Sequence, residues 1–342
     1  MPMTAPAKIS VVIPCSNVER YIAAAIRSVL AQNWSDLEIV VVDDGSSDRS
    51  AELVRDTFPG VTLLRQTNQG IAAARNLGIK HSQGDWIAFL DADDIWLPGK
   101  LRAQWQMLSA QPTARMAYSA WHVWSSVEPY PSPEYVDEVL SQSGDPDRWP
   151  EPSGRIYERR CNHCQRPYSC WVELSGWIYP QLLLDCVVWT STVLAHRSLF
   201  EEVGYFDTAL RIGEDYDLWL RASRVTAILK VPRPYALYRL HPANITTSVP
   251  ETNYRGLVVS RALARWGYGS PDGSSARKAD VDRALAQSWS DFAYAHLEAG
   301  NLGRAWYGGL MSLRADWWHA SGWKVFAKTV ARSLTVGRRT RG

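Results

Sequence analysis

The first hundred residues alternate between short β-branched segments and segments whose apolar residues recur at helical spacing. Strands are predicted at residues 9–14, 38–42, 61–65 and 86–90, with helices at 18–30, 51–58 and 71–79 between them, the first of these helices capped by Asn17. Such alternation implies right-handed βαβ units, in which parallel strands form one sheet and helices cover both of its faces. We therefore predict an α/β fold with a Rossmann-like, mostly parallel sheet.

Acidic residues end two of these predicted strands. Asp43 and Asp44 follow one strand, and Asp91, Asp93 and Asp94 follow another. The carboxyl ends of parallel strands meet at one edge of a sheet, where open α/β proteins bind their ligands. Crowded carboxylates repel one another, and a hard divalent cation such as Mg²⁺ or Mn²⁺ relieves that repulsion. A simple Asp-rich turn is the alternative, and one such motif does not decide between them.

Composition excludes several classes of protein. The 342 residues include 37 basic and 35 acidic side chains, a net charge of +2, which argues against a nucleic-acid partner. Five Cys are too few for a disulfide scaffold, and no apolar segment has the ~20 residues that span a bilayer. No secretory signal is recognised at the N-terminus, so the protein is expected in the cytoplasm. The 17 Trp are unusually many, and such rings suit contacts with sugars or lipid interfaces as well as burial.

Five segments, taken in order, carry a resemblance to a known family. They are Val-Val-Ile-Pro at 11–14, Val-Asp-Asp-Gly-Ser-Ser-Asp at 42–48, Asn-Gln-Gly at 68–70 with Ala-Arg-Asn at 74–76, Asp-Ala-Asp-Asp at 91–94, and Gly-Glu-Asp-Tyr-Asp-Leu-Trp-Leu-Arg at 213–221. Over residues 9–245 the chain resembles the inverting nucleotide-sugar glycosyltransferases of the GT-A fold, glycosyltransferase family 2. This resemblance implies transfer of a sugar from a nucleotide diphosphate, UDP in our prediction, to a hydroxyl of a glycan or lipid-linked acceptor in polysaccharide or glycoconjugate synthesis.

The resemblance also implies which residues bind the nucleotide-sugar donor. Asp43 and Asp44 would contact the base and ribose, and Asp91 would lie near the ribose. Arg75, predicted on the surface of its helix, would clamp the diphosphate, with a merely solvated Arg as the alternative. Members of the family commonly have an aromatic residue where this chain has Ser16, so stacking on the base must come from elsewhere.

A metal site follows from the same resemblance. Asp93 and Asp94, with His241, would hold a Mn²⁺ or Mg²⁺ ion that neutralises the leaving diphosphate. For His241 a surface His after a strand is the alternative interpretation.

Residues 189–194 are predicted to form a strand, and residues 213–221 a helix that begins with acidic residues. In the family the Asp of the Glu-Asp pair is the general base, which indicates Asp215, while Glu214 and Asp217 would orient the acceptor or brace the turn. An inverting transfer needs one carboxylate that takes the proton of the acceptor hydroxyl while its oxygen attacks the anomeric carbon. Acids also stabilise the first turn of any helix, so capping is the alternative.

The whole chain is predicted to contain four regions. Residues 1–118 form the nucleotide-sugar-binding half of a domain, and residues 179–250 its acceptor-binding and catalytic half. Between them, residues 119–178 form an irregular insert or lid. Its Cys161, Cys164 and Cys170 are predicted to be structural thiols, with a zinc site as the alternative.

Residues 251–342 are predicted to form a C-terminal helical region. Near its end Trp323, Phe326, Val330 and Leu334 fall on one helical stripe, with Lys and Arg around it. Such a basic amphipathic helix can lie on an anionic membrane surface or pack against its own domain, and both interpretations stay open. Peripheral contact at the inner face of the membrane would suit a lipid-linked acceptor.

Two other functions fit parts of the pattern. A nucleotidyltransferase needs a Gly-rich basic loop after its first strand, but residues 15–20 contain no Gly. A non-catalytic sugar-binding module agrees with the number of Trp residues but not with the presence of both Asp93 and Asp215. We therefore predict a glycosyltransferase.

Overall fold

The computed structural model describes residues 7–125, 156–157, 175–241 and 248–339. The chain divides into two compact units: residues 1–178 with 187–241, here the sheet unit, and residues 179–186 with 242–342, here the helical unit. Most of the predicted insert, including Cys161, Cys164 and Cys170, lies outside the described residues. The domain boundaries drawn from the sequence stay predictions.

Strands and helices alternate in the first part of the sheet unit. The elements are β1 (Ile9–Cys15), α1 (Ile22–Leu30), β2 (Leu37–Asp44), α2 (Ser50–Thr57), β3 (Thr62–Gln66), α3 (Ile71–His81), β4 (Trp86–Phe89), β5 (Ile95–Trp96) and α4 (Lys100–Ala110). The chain continues with β6 (Met116–Ser125), β7 (Ile156–Tyr157), α5 (Tyr179–Leu184, part of the helical unit), a 3₁₀ turn (Thr190–Thr192), β8 (Leu194–His196), α6 (Arg197–Val203), α7 (Glu214–Ala222) and β9 (Ile228–Leu240).

The strands form one mixed sheet in the order β3-β2-β1-β4-β8-β6-β9-β5, with β7 beside β6. Strands β1 to β4 pair in parallel, β8 is antiparallel to both β4 and β6, and β9 runs parallel to β6. Because two antiparallel steps restore the strand direction, β2, β4 and β9 all end at the same edge. The predicted α/β class is confirmed, although the parallel pairs are limited to β1–β4 and to β6 with β9.

Apolar side chains cover both faces of the sheet, as the alternation of strands and helices predicts. On one face Val11 of β1 belongs to a buried cluster with Ile26 of α1. On the other face Val40 and Val42 of β2 pack with Ala74 of α3. The strand ends, where the acids lie, are therefore held on a sheet that is packed on both sides.

The start of α1 differs from the prediction that Asn17 caps it. The helix begins at Ile22, and Asn17 has a φ of 54°. Its side-chain oxygen instead accepts a hydrogen bond from the backbone N–H of Ser47 at 2.9 Å. The amide therefore joins the loops after β1 and β2 because the neighbouring turn offers it a donor.

The helical unit contains α5 and four further helices, α8 (Tyr254–Trp266), α9 (Lys278–Glu298), α10 (Leu302–Ala315) and α11 (Ala320–Arg339). Its buried cluster brings together Leu297 of α9, Ala305 of α10 and Val325 of α11. Gly308 lets α10 approach α9 closely, since an added Cβ there would lie 2.9 Å from the Cβ of Ala293. None of the helices in the described ranges is long and apolar enough to span a bilayer.

Candidate active site

The acidic residues of the sheet unit gather at one edge of its sheet. Asp44 ends β2, and Asp91 follows β4 by two positions, with β1 between these two strands. Helix α7 begins at Glu214 and brings the later acidic segment to the same place, where Glu214 contacts the side chain of Arg75. The expected meeting of acidic turns at one edge is thus present in the structure.

Asp43 and Asp44 shape the loops around this edge. Asp44 is 4% exposed, and its carboxylate accepts hydrogen bonds from the N–H groups of Gln69 and Gly70, both at 2.8 Å, and from the Gln66 side chain at 2.7 Å. Asp43 accepts a hydrogen bond from a backbone N–H in its own turn. Arg65 Nε lies 2.9 Å from its second oxygen, close enough for an ion pair although not aligned as a hydrogen bond. Contact of these two residues with a nucleotide stays a prediction.

Arg75 is buried beneath the site. The sequence places it on the surface of α3, but its side chain is only 3% exposed. Gly78 packs so closely on β1 that an added Cβ would lie 2.3 Å from Val12 Cγ1. The predicted surface position is therefore wrong, because the close approach of α3 to β1 leaves Arg75 facing the interior.

The Arg75 guanidinium joins two acidic segments that are far apart in the chain. Nη2 donates to Asp91 Oδ1 and Nη1 donates to Glu214 Oε1, both at 2.6 Å. The group also lies over the ring of Phe206, at 5.3 Å from its centre. Its buried Nε has no hydrogen-bond partner in the described part of the chain. Charge-assisted bonds of this length are among the stronger ones in proteins, so Arg75 fixes the strand end against the start of α7.

Burial and mutual repulsion raise the pKa of the acids around Arg75. Burial, assisted by the charge of Asp215, raises the pKa of Glu214 to about 7, although Arg75 opposes the change. Burial also raises the pKa of Asp91, where Arg75 again opposes the change and the charge of Asp93 adds to it. The cluster therefore holds more carboxylates than Arg75 neutralises, and its field favours a bound cation.

Asp215 lies in the first turn of α7 and is partly exposed. The preceding Gly213 has a φ of 81°, a conformation that favours glycine and gives the helix a sharp entry. Asp215 Oδ2 accepts a hydrogen bond from Thr190 Oγ1 at 2.8 Å, and Oδ1 accepts one from the N–H of Tyr216 at 2.7 Å. A held, partly exposed carboxylate can take a proton from a bound hydroxyl. The role of general base stays a prediction.

Residues 189–193 form a turn, so the strand predicted at 189–194 is present only at its last residue. Thr190–Thr192 is a 3₁₀ turn, and β8 begins only at Leu194. The hydroxyl of Thr192 donates to the carbonyl of Trp189 at 2.6 Å. Side-chain bonds of this kind compete with strand pairing, which explains the difference.

This turn supplies two site residues that the sequence reasoning missed. Thr190 holds Asp215, while Ser191 Oγ accepts from the N–H of Asp91 at 3.0 Å and donates to Asp94 at 2.6 Å. The turn thus connects the end of β4 with the start of α7. The run of hydroxyl residues from 190 to 192 was the only local signal for it.

The carboxylate of Asp94 makes hydrogen bonds inside the protein. Its Oδ1 accepts from the N–H of Arg239 at 3.1 Å, and its Oδ2 accepts from Ser191 at 2.6 Å and from Trp189 Nε1 at 3.2 Å. The residue is 1% exposed, and burial raises its pKa well above the ordinary value. Both oxygens are thus used inside the protein, where Asp94 anchors the turn, and its part in a metal site stays a prediction.

Asp93 and His241 form the pair that fits a cation. Asp93 Oδ2 lies 3.0 Å from His241 Nε2, and the Asp93 side chain is 22% exposed. Arg239 Nε donates to the Asp93 carbonyl at 2.8 Å and holds the backbone in place. Across the described ranges no group of three or more His, Cys, Asp or Glu side chains is arranged to hold a metal. Two protein ligands still suit Mg²⁺ or Mn²⁺, because such ions complete their coordination with substrate phosphates and water.

Asp217 braces the loop before α7. Its Oδ2 accepts a hydrogen bond from Arg221 Nε at 2.8 Å. Arg221 also donates to the carbonyls of Val203, Gly204 and Tyr205 at 2.6, 2.9 and 2.8 Å. Of the two roles predicted for Asp217, bracing the turn agrees with these contacts.

Sequence comparison finds related glycosyltransferases in bacteria. Residues 10–141 match the model of the family described as Glycosyl transferase family 2. An uncharacterized glycosyltransferase of Rickettsia bellii is 27% identical over 254 residues, which are 74% of this chain and 31% of the relative. One of Rickettsia prowazekii is 28% identical over 240 residues, 70% of this chain and 66% of the relative. The chain thus spans about a third of the first relative and about two thirds of the second.

Solved structures share the fold. Residues 1–349 of S. aureus TarS, crystallised with UDP-GlcNAc, give a TM-score of 0.58 at 17% identity and cover 98% of this chain and 91% of that one. The mannosyltransferase PcManGT from Pyrobaculum calidifontis, in complex with GDP-Man and Mn²⁺, gives 0.53 at 16% identity, with coverages of 97% and 88%. The family match over residues 10–141, the bacterial relatives and the shared fold support the family predicted from the motifs, glycosyltransferase family 2.

Proposed function

We propose that the chain is an inverting, metal-dependent glycosyltransferase that moves a sugar from a UDP-linked donor to a hydroxyl of a glycan or lipid-linked acceptor. The observation that carries this proposal is the position of Asp215. Its carboxylate is held by Thr190, and the neighbouring Glu214 is joined through Arg75 to Asp91 at the end of β4. A candidate base therefore lies beside the strand end where an α/β sheet binds its nucleotide.

In the proposed reaction Asp215 accepts the proton of the acceptor hydroxyl. The hydroxyl oxygen attacks the anomeric carbon from the face opposite the nucleotide, and the bond from that carbon to the diphosphate oxygen breaks. The electron pair leaves with the nucleoside diphosphate, so the configuration at the anomeric carbon inverts. Thr190 donates its hydrogen bond to Asp215 and keeps the carboxylate oriented toward the acceptor side.

Asp93 and His241 are the proposed metal ligands. Their polar atoms are 3.0 Å apart at the ends of β4 and β9, and the field of the acidic cluster favours a cation there. A bound Mn²⁺ or Mg²⁺ ion supplies Lewis-acid stabilisation of the charge on the leaving diphosphate. Arg75 does not replace this ion, because Asp91 and Glu214 already use its guanidinium.

The donor, the acceptor and the location belong to the proposal as well. A UDP-sugar is supported by the likeness to TarS, which was crystallised with UDP-GlcNAc and with UDP. A lipid-linked acceptor at the inner face of the membrane agrees with the basic C-terminal helix.

The proposal is tested with UDP- and GDP-sugars, by measuring their Mn²⁺-dependent hydrolysis and the thermal stabilisation they give. We expect UDP-sugars to be hydrolysed slowly to the inverted sugar, which NMR identifies from its anomeric proton. Asp215→Asn should retain donor binding and lower the rate by about 10²–10⁴. Asp93→Ala should weaken metal-dependent nucleotide binding.

Asp56→Asn is the matched control, because this carboxylate is 65% exposed on α2 and pairs with the adjacent Arg55. It should leave both binding and rate unchanged. Retention of the wild-type rate by Asp215→Asn shows that another group is the base. A product that retains the donor configuration contradicts the inverting mechanism.

A further inference from the structure

The end of the chain carries a charge opposite to that of the rest. Residues 302–342 contain eight basic residues and one acidic residue, a net charge of +7. The preceding 301 residues contain 29 basic and 34 acidic residues, a net charge of −5. The whole chain is nearly neutral, but its net positive charge is concentrated in residues 302–342.

Large apolar side chains are exposed on the same two helices and on the turn between them. Trp318 is 88% exposed and Trp317 is 59% exposed. In the described part of the chain nine large apolar side chains are exposed, and six of them lie between residues 302 and 334: Tyr307, Leu310, Trp317, Trp318, Trp323 and Leu334. A concentration of this kind marks an interaction surface, since single exposed apolar residues are ordinarily scattered.

Other side chains form the buried inner face of α11. Val325 and Thr329 of α11 are buried and form its inner face. Phe326 packs edge to face on Trp306 of α10, with ring centres 4.9 Å apart. The stripe predicted from the sequence is therefore divided, because Phe326 packs within the unit whereas Trp323 remains 40% exposed.

The turn between α10 and α11 is held in a defined conformation. Asp316 accepts a hydrogen bond from the N–H of Trp318 at 3.0 Å. Trp323 Nε1 donates to the carbonyl of Trp317 at 2.8 Å, and the two rings meet edge to face at 4.8 Å. The exposed rings thus lie on a turn whose backbone is already ordered, so its backbone loses little entropy on binding.

We propose that this surface docks the protein onto an anionic lipid bilayer. The aromatic–basic surface consists of Leu310, Trp317, Trp318 and Trp323 with the exposed Arg314, Lys324 and Lys328. Trp rings favour the boundary between headgroups and acyl chains, and basic side chains are attracted to anionic headgroups. A second copy of the chain does not suit this surface, because two positively charged surfaces repel each other. Contact with the membrane is peripheral in this proposal and does not depend on transfer activity.

Co-sedimentation of the full chain with large unilamellar vesicles tests the docking. We expect binding to vesicles of equal parts phosphatidylglycerol and phosphatidylcholine and none to pure phosphatidylcholine. Arg314→Gln with Lys324→Gln should weaken binding about fivefold for each charge removed, hence roughly 25-fold together. Leu310→Ser with Trp318→Ser should weaken it by roughly tenfold or more, since two apolar side chains are lost.

Leu30→Ser is the matched control, because it removes a half-exposed apolar side chain from the sheet unit. It should bind like the wild type, and thermal unfolding midpoints show that each variant is folded. Raising NaCl from ~0.1 M to ~1 M should release the protein, as the Debye length falls from about 10 Å to about 3 Å.

Three results contradict the docking surface. They are equal recovery on anionic and neutral vesicles, absence of binding to both, and wild-type binding by the two double variants. A DNA duplex bound as tightly as the vesicles at the same salt concentration indicates a general polyanion site and overturns the proposal.

Discussion

Replacing Glu214 by Gln tests the electrostatics of the site. Glu214 accepts a hydrogen bond from Arg75 at 2.6 Å, yet burial raises its pKa from 4.5 to about 7. The folded protein therefore favours the protonated form, whose stabilising contribution is complete below pH 4.5 and is lost as the pH rises through about 7. At about 1.4 kcal/mol per pKa unit, the ionisation of Glu214 lowers the free energy of unfolding by about 2–3 kcal/mol between pH ~5 and pH ~8.

Gln has no proton to lose, so its side chain does not ionise over this pH range. The free energy of unfolding of Glu214→Gln, relative to that of the wild type, should therefore rise by about 2–3 kcal/mol between pH ~5 and pH ~8. Urea unfolding followed by circular dichroism at several pH values measures the difference. Glu202→Gln is the control for the removal of a carboxylate, because this side chain is 49% exposed and pairs with Arg115 at the surface. If the difference in free energy of unfolding between Glu214→Gln and the wild type does not change with pH, the inferred excess of buried carboxylates is refuted.

Three further predictions concern neighbouring residues. Arg75→Lys keeps the charge but cannot reach both carboxylates, so the free energy of unfolding in urea should fall by about 3–5 kcal/mol; a wild-type value contradicts the bridging role. Thr190→Val should lower kcat about tenfold and leave KM unchanged, because Asp215 loses the hydrogen bond that orients its carboxylate; a wild-type kcat excludes Thr190 as a positioning residue. His241→Ala should weaken Mn²⁺ binding in the presence of UDP, measured by calorimetry, whereas substitution of the exposed His81 should not; equal affinities remove His241 from the ligand set.

Local patterns predict the parallel half of the sheet and its acidic edge well. The strands around Val11 and Val40 follow from β-branched runs, and their order follows from the handedness of βαβ units. Asp91 lies at the expected edge because a strand that ends in acids places them at its carboxyl end. That Asp93 and His241 lie close together could be predicted only from the family resemblance, because their proximity depends on the pairing of β5 with β9.

Tertiary packing decides the features that local patterns miss. Helical periodicity does not reveal that Gly78 lets α3 approach β1 and so buries Arg75. The β-branched residues at 190–194 indicate a strand, but hydroxyl groups facing Asp94 and Asp215 favour a turn. Local patterns likewise do not predict the hydrogen bonds of Asp94, because its hydrogen-bond donors come from segments about 100 and 145 positions away in the chain.

The bridge made by Arg75 bears on how the protein folds during synthesis. Its two partners, Asp91 and Glu214, are 123 positions apart, so Asp91 is synthesised well before Glu214. Strand β4 likewise lacks one of its neighbours until β8 has been synthesised. The matched stretch 10–141 therefore contains Asp91 but ends before Glu214 and β8 have been made. A fragment cut at its boundary would hold a buried guanidinium with one of its acids missing and an open strand edge, the features that lead nascent chains to aggregate. Expression of the sheet unit should accordingly extend at least through β9, which ends at Leu240.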